Sequence, residues 1–597
     1  MLPAAAWIRG LMRYLALACD YDGTLAKDGR VDEPTVAALK RLLASGRKLI
    51  LATGRELDDL RSTFANLELF EYVVAENGAL LYRPGTREEK PLASAPPQAF
   101  VAALRVRGVT PLSVGRAIVA TWRPHETVVL KTIGQMGLGL TVTFNKDAVM
   151  VLPAGITKGT GLAAALQELG LSPHNVAAIG DAENDFPLLS LCECAAAVAN
   201  ALPAVKRQAD IVTRGDHGAG VRELIDELLA NDLRAREERL TRHHLLLGAS
   251  ESGDEIRLPP YGIKLLIAGP SGSGKSTVTT TLLERLEEQK YQFCILDPEG
   301  DYEGLKGPIV LGNRERAPGI DEALQLLEKE EDLVINLIGL PLGDRPPFFA
   351  SLLPRVLELR ARIGRPHWLV IDEAHHLLPA TWIPGTLSLP QDLERLVLIT
   401  VHPTHVSPVI LPTVNAMIVV GDGPEKTFQD FFEASKKTLP ALAVPLQLQP
   451  GEVFLWWESK YATPLRLRII PGRMEHRRHT RKYAVGEIPP ERSFYFRGPE
   501  GKLNLRAQNL VLFLQLAEGV DDATWLHHLR QADYSRWFRE TIADKILAEE
   551  AARVEQQTDL SPAESRARIR AAVERYYTLP ASPPLPMPGT AADPDRA

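Results

Sequence analysis

Four cysteines in 597 residues, Cys19, Cys192, Cys194 and Cys294, are too few for a disulfide framework. Most stand in apolar surroundings, and the C-x-C at 192–194 has no second ligand pair nearby. Buried thiols in a reducing compartment are therefore expected. No apolar run approaches the 18 or so residues that a bilayer-crossing helix needs. The first twelve residues, MLPAAAWIRGLM, lack the charged, apolar and cleavable regions of a secretion signal. A cytoplasmic protein with no membrane partner is the expectation. Positive charge is not in excess either: 68 Lys and Arg face 75 Asp and Glu, a net charge of −7. That balance argues against a dedicated nucleic-acid binder and leaves only a local basic patch open. Internal repeats are missing, which excludes a solenoid or propeller.

What is present is strand–helix alternation, in a chain too long for one core. From Tyr14, apolar strands (YLALACDYDG, KLILATGR) alternate with amphipathic helices (PTVAALKRLLASG, DDLRSTFANL), the pattern of a parallel α/β sheet. A unit at about 83–153 carries its own strands and helices, and the first pattern then resumes to about 230. One α/β domain inserted into another, over 13–230, accounts for this. Residues 231–258 (LRAREERLTRHH, then ASESGDE) are charged and short of periodicity, and a helical linker with a flexible end is predicted. A second α/β domain follows over 259–465. After a basic run at 473–482, RMEHRRHTRK, a helical segment extends to 577, and the Pro-rich tail 578–597 is expected to be disordered.

The sharpest chemical signal is LALACDYDGT. Asp20 and Asp22 leave the carboxyl end of an apolar strand, where open parallel sheets place their ligands. Gly23 begins a turn that can aim both carboxylates at one metal and one phosphate. Asp-Gly pairs also make ordinary turns, but ILATGR, a Lys158 opening a helix, and GDAEND follow in order. These four motifs resemble those of the haloacid dehalogenase superfamily over residues 13 to about 230. The resemblance implies a Rossmann-like core whose Asp20 attacks phosphorus while Asp22 serves as acid and then base. It implies Mg²⁺ on Asp20, the Asp22 carbonyl and Asp181, with Asp185 close by. Thr53 and Lys158 would then neutralise the transferring phosphoryl group. The insertion resembles an α/β cap of the kind found in sugar-phosphate and phosphoglycolate phosphatases. Candidate substrate contacts are Gly54, Arg55, Asn77, Asn145, Lys146 and Asn184. The implied partner is a small phosphorylated metabolite, since a lid excludes folded protein and duplex ends.

The second signal is GPSGSGKST at 269–277, after the strand IKLLIA and before a helix. Strand–loop–helix is the context in which G-x-x-x-x-G-K-[ST] binds nucleotide phosphates. Gly269, Gly272 and Gly274 open the loop, Lys275 reaches the β- and γ-phosphates of ATP, Ser276 ligates Mg²⁺, and Thr277 follows it. The strand HWLVIDEAHH ends in Asp372, placed to hold Mg²⁺ through water, and Glu373, placed as general base toward water. Together with CILDPEGDY, these motifs resemble the HerA–FtsK class of ATPases over about 262–460. Where that class carries a polar sensor, LITVHPTHVS leaves Thr400 or His402. If subunits form a ring, Arg345, Arg355 and Arg395 are candidates to act in trans. The usual preceding β-barrel is missing, which weakens a reading as a processive DNA motor.

The C-terminal aromatics Phe513, Trp525, Tyr534, Trp537 and Phe538 fall at helical spacing and read as core. His476, His479, His527 and His528 lack a ligand pattern and read as surface or hydrogen-bonding residues. Three functions remain in view. The first is a metabolite phosphatase governed by ATP binding and hydrolysis. The second is a HerA-like DNA-associated motor with a nucleotide or nucleic-acid-end phosphatase. The third is a kinase–phosphatase, against which Glu373 counts. A homo-oligomer is compatible with each.

Overall fold

A computed structural model describes residues 12–145, 147–381, 393–442, 447–472, 488, 490–542, 544–557 and 559–576. Lys146, the basic run 473–482 with His476 and His479, and the tail 578–597 lie outside the described residues. The chain divides into two compact units, residues 1–474 and 475–597.

The first unit begins with strands β1 (Ala16–Asp20), β2 (Lys48–Ala52), β3 (Tyr72–Ala75), β4 (Leu80–Arg83) and β5 (Glu88–Pro91). After an insertion holding β6 (Ser113–Val114), β7 (Val119–Trp122), β8 (Leu140–Asn145) and β9 (Ala148–Pro153), the sheet resumes with β10 (Val176–Gly180), β11 (Cys194–Ala197) and β12 (Ile211–Val212). The core sheet runs β12-β11-β10-β1-β2-β3-β4-β5. Every residue of β1 and β10 is buried, as central parallel strands covered on both faces must be. The cap is a separate sheet, β6-β7-β9-β8, with helices Gln98–Val106 and Glu126–Met136. The hairpin β4–β5 belongs to the core sheet, so the cap starts some residues after position 83, where the sequence placed it.

A larger sheet follows. It is built from β13 (Leu245–Ser250), β14 (Glu255–Leu258), β15 (Lys264–Ala268), β16 (Phe293–Asp297), β17 (Ile309–Leu311), β18 (Leu333–Asn336), β19 (Trp368–Ile371), β20 (Leu396–Thr400), β21 (Ala416–Val420), β22 (Glu452–Trp457) and β23 (Leu465–Ile469). Its order is β14-β13-β23-β22-β21-β15-β20-β19-β16-β18-β17. The six strands from β15 to β17 in that order pair in parallel with one another. The predicted linker is corrected here. Only a short 3-10 helix, Arg234–Arg239, forms in it. Residues 245–258 make a hairpin that extends the sheet through β13–β23 pairing, because Leu245, Leu247 and Leu258 find a buried face.

The second unit joins a hairpin, β24 (Phe494–Phe496) with β25 (Leu505–Ala507), to five helices among the described residues, Leu510–Gly519, Asp522–Arg530, Asp533–Glu540, Lys545–Glu555 and Pro562–Tyr576. Phe513, Trp525, Tyr534, Trp537 and Phe538 are its buried core. His528 is buried too, accepting from the Arg497 N–H at 3.0 Å.

Candidate active sites

Three neighbouring strands converge on one point. β1 pairs in parallel with both β10 and β2, so their carboxyl ends deliver Asp20, Asp181 and Thr53 side by side. Lys158, the first residue of helix Lys158–Leu169, enters from below. It is fully buried, and its Nζ lies 2.6 Å from Asp20 Oδ1 and 2.7 Å from Asp185 Oδ1. Asp185 Oδ2 accepts from the N–H groups of Asp181 and Ala182 at 2.9 and 3.0 Å, which fixes the loop. Gly23 is required here: its φ is +88°, and a Cβ would collide with the Asp181 carboxylate.

Asp20, Asp181 and Asp185 lie close enough for one ion to join them. Three buried carboxylates face one ammonium, and Asp20 Oδ2 is buried with no hydrogen-bond partner. Burial, then Asp185, raise the Asp20 carboxyl well above the usual range against the opposing pull of Lys158. Burial would lower Lys158, yet Asp185 and Asp20 hold it raised. A hard divalent cation with oxygen ligands suits this donor set and its uncompensated negative charge.

Asp22 stands outside that cluster. Its carboxylate is clamped by Arg55, with Nε to Oδ2 at 2.7 Å and Nη2 to Oδ1 at 2.8 Å. Arg55, named as a candidate substrate contact, also donates to Asp59 Oδ2 at 2.8 Å. Thr53 is buried, and its Oγ1 accepts from the Arg55 N–H at 3.1 Å. Asn184 Nδ2 donates to Asn77 Oδ1 at 3.1 Å, which brings these two predicted contacts together. The cap lies over them, since a Cβ on Gly54 would sit 3.2 Å from Met150 Sδ. Asn145 ends β8 half-buried.

Glu76 is a functional position that the sequence motifs do not single out. Fully buried, it accepts from the N–H groups of Arg116, Ala117 and Ile118 at 2.9, 2.7 and 3.1 Å, pinning cap to core. Its φ of +51° marks a strained turn, a position sequence periodicity does not reveal.

Residues 17–105 and 131–225 match the family model described as haloacid dehalogenase-like hydrolase. The chain is 30% identical over 224 residues to phosphoglycolate phosphatase 2 of Saccharolobus solfataricus, covering 94% of that protein and 36% of this chain. It is 33% identical over 221 residues to phosphoglycolate phosphatase of Methanopyrus kandleri, covering 95% of it and 35% of this chain. The homologue from Halorubrum lacusprofundi gives 32% over 232 residues, 98% of it and 37% of this chain. This chain belongs to the haloacid dehalogenase-like hydrolases. Residues 263–351 match the central domain of helicase HerA, so a P-loop ATPase domain is joined to this hydrolase in one chain.

In the ATPase domain, β15 runs into the glycine-rich loop and helix Lys275–Glu288 leaves it. Gly269 is pressed against Val420, whose carbonyl a Cβ there would strike. Gly272 and Gly274 have φ of +75° and +109°. Lys275 is buried, its Nζ 3.0 Å from the carbonyls of Gly269 and Pro270. Thr277 Oγ1 is buried without a hydrogen-bond partner, and Ser276 lies in the same first turn. Asp297 organises the adjoining loop by accepting from the N–H groups of Glu299, Gly300, Asp301 and Tyr302 at 2.8–3.2 Å. Burial pushes its carboxyl up to about 7. Asp372 is raised as well, by burial and then by Glu373.

Register places Thr400 opposite Ala268, at the start of the loop. Thr400 Oγ1 is 3.3 Å from His375 Nδ1, which lies 3.4 Å from Glu373 Oε2. His375, inconspicuous in the sequence, joins the two catalytic candidates. The three arginines named for a trans role stand in different settings. Arg345 is buried against Leu340 and His376, and Arg395 is buried too, while Arg355 pairs with Asp321 at 2.6 Å.

The two domains share a buried polar seam. His174, just before β10, has Nδ1 2.6 Å from Glu193 Oε2 and Nε2 2.6 Å from the carbonyl of Gln289. Gln289 caps the carboxyl end of helix Lys275–Glu288. Glu193 also accepts from Arg13 and from the Tyr291 hydroxyl, each at 2.7 Å. His243 completes a group of three that could grip a metal, but these short bonds already engage both ring nitrogens of His174.

Proposed function

We propose that this protein hydrolyses a small phosphate monoester, of phosphoglycolate or sugar-phosphate size, and that ATP binding and hydrolysis in the fused domain govern that activity. The carrying observation is the Asp20–Lys158–Asp185 cluster, with one Asp20 oxygen buried and unpaired beneath an α/β cap.

Asp20 Oδ2 attacks phosphorus in line, and the phosphorus–oxygen bond to the leaving alcohol breaks. Asp22, steadied by Arg55, gives its proton to that alkoxide. It then takes a proton from the water that cleaves the aspartyl-phosphate. Lys158 and Thr53 donate toward the phosphoryl oxygens, where charge gathers in the transition state. Mg²⁺ held by Asp20, the Asp22 carbonyl, Asp181 and Asp185 would supply further neutralisation of that group. In the second site, Lys275, Ser276 and Thr277 would hold the ATP phosphates and its Mg²⁺ with Asp372, and Glu373 would orient water. Support for governance by ATP comes from the seam, where the P-loop helix ends on His174, six residues before the metal-site strand closes.

The relatives named phosphoglycolate phosphatase make 2-phosphoglycolate the first substrate to try. A phosphate-release panel of glycolate, sugar and nucleotide monoesters should show one preferred small ester. Asp20→Asn should reduce its turnover by about a thousandfold or more while leaving ATP hydrolysis intact. Equal turnover in Asp20→Asn, or none on any ester, would remove the reading. DNA-stimulated ATP hydrolysis in the latter case would favour the motor instead.

A further inference from the structure

Between the hydrolase core and the ATPase sheet lies a cavity of about 190 Å³, lined by Arg13, Arg234, Glu237, Tyr261, Glu394 and Arg395. Two of its cations are matched. Arg13 is shared by Glu193 and Glu237, each at 2.7 Å, and Arg234 meets Glu394 at 3.3 Å. Arg395 is not. Its side chain is buried, Nε and Nη1 have no hydrogen-bond partner, and among the described residues no carboxylate forms an ion pair with it. What it does touch is the face of Tyr261, 4.7 Å from the ring centroid, with Arg13 at 3.7 Å from the same ring.

A buried guanidinium with no anion is strongly disfavoured unless something on hand supplies the missing charge and acceptors. Relaxation cannot easily remove it. The Arg395 N–H donates to Ile263 and its carbonyl accepts from Leu369, at 2.9 and 3.0 Å, so the backbone is held from both sides. It keeps a left-handed φ of +59° there. Across the cavity Glu237 Oε1 is likewise buried without a partner. A ligand presenting oxyanion oxygens to Arg395 and a hydroxyl to Glu237 would satisfy both.

We infer that this cavity is a binding site for a small oxyanion bearing a hydroxyl, separate from both catalytic centres. Monobasic phosphate and a hydroxycarboxylate share that chemistry, and each fits the volume where a nucleotide does not. The position suits an effector. Arg13 stands three residues before β1, which ends at Asp20, and Arg395 immediately precedes β20, which ends at Thr400. One ligand there touches the origin of a strand leading to each site. Phosphate would also be the common product of both proposed reactions, and this last link rests on the functional reading above. The site itself does not.

The test is calorimetric titration of the full chain with inorganic phosphate and, separately, with glycolate, at constant ionic strength. Phosphate sites at the two catalytic centres are suppressed beforehand by removing their phosphate-binding cations with Lys158→Met and Lys275→Ala, without added Mg²⁺. One remaining site is expected, weakened at least tenfold by Arg395→Met and less by Arg395→Lys. Thermal unfolding guards against misfolding: Arg395→Met should melt no lower than its parent, since it removes an unpaired buried charge. Which anion binds more tightly identifies the source. No binding of either anion in the parent, or binding unchanged by Arg395→Met, would overturn the assignment. A large fall in melting temperature in Arg395→Met would also overturn it, by making Arg395 structural.

Discussion

Asp22 and Arg55 show how one residue sets another's work. An acid–base carboxylate at the site mouth, a third exposed, would sample many rotamers if nothing held it. Arg55 fixes it with two parallel hydrogen bonds, the strongest geometry available to this pair. Arg55→Ala should therefore lower kcat by roughly tenfold to a hundredfold and leave the Mg²⁺ requirement unchanged, as a metal titration at saturating substrate would reveal. A larger effect on KM than on kcat would instead make Arg55 a substrate contact. The sequence supplied the four motif residues because their order and strand-end positions leave few alternatives. It could not supply the Arg55–Asp22 pair, since that depends on side-chain direction.

Glu193 carries a residue-scale prediction with a sign. Burial alone would raise its carboxyl, but His174 and Arg13 hold it well below the usual range. A depressed carboxylate stabilises the fold above its unfolded value, near pH 4.5, and that stabilisation is lost as pH falls below it. Glu193→Gln should cost about 3 kcal/mol at pH 7, breaking a buried ion pair. The gap between variant and wild type should narrow progressively below pH 4.5 in urea unfolding.

At the scale of elements, Glu76 is the joint between core and cap. Glu76→Ala leaves three buried cap N–H groups unmatched, a loss of about 1–3 kcal/mol for each. The core sheet has no stake in those bonds, so the damage should fall on the lid. Expected are a several-fold rise in KM and faster proteolysis within 98–153, with the ATPase site unaffected. Unchanged KM would deny the cap a part in substrate capture. Elements also mark where sequence reading failed. The 245–258 hairpin was taken for a helical linker because its strands are short and β23, which completes it, lies over 200 residues later. Only the Ser-Gly-Asp turn at 252–254, with Gly253 at φ +88°, signalled it locally. By contrast β1, β2, β10, β15 and β19 were legible, since buried parallel strands are apolar throughout and punctuated by glycine. The C-terminal aromatics packed as a core for the same periodic reason.

For the whole molecule, the arrangement departs from two enzymes on a string. Helix Lys275–Glu288 begins at the nucleotide loop and ends on His174, and β10 carries that contact toward Asp181. Neither half's motifs encode this seam. Arg13, His174, Glu193 and Tyr291 are scattered in sequence and each alone reads as an ordinary core residue. A set of short buried bonds is one physical route by which one site can bias another, and the coupling free energy it carries acts equally in both directions.

The most direct measurement is turnover of the preferred monoester by wild type, Lys275→Ala and His174→Ala, each with and without ATP. In wild type, ATP should change monoester turnover several-fold. The change should vanish in Lys275→Ala and shrink in His174→Ala, while both variants keep their basal monoester activity. Monoester turnover indifferent to ATP in all three, with ATP hydrolysis intact in wild type, would contradict coupling and leave two independent sites in one chain.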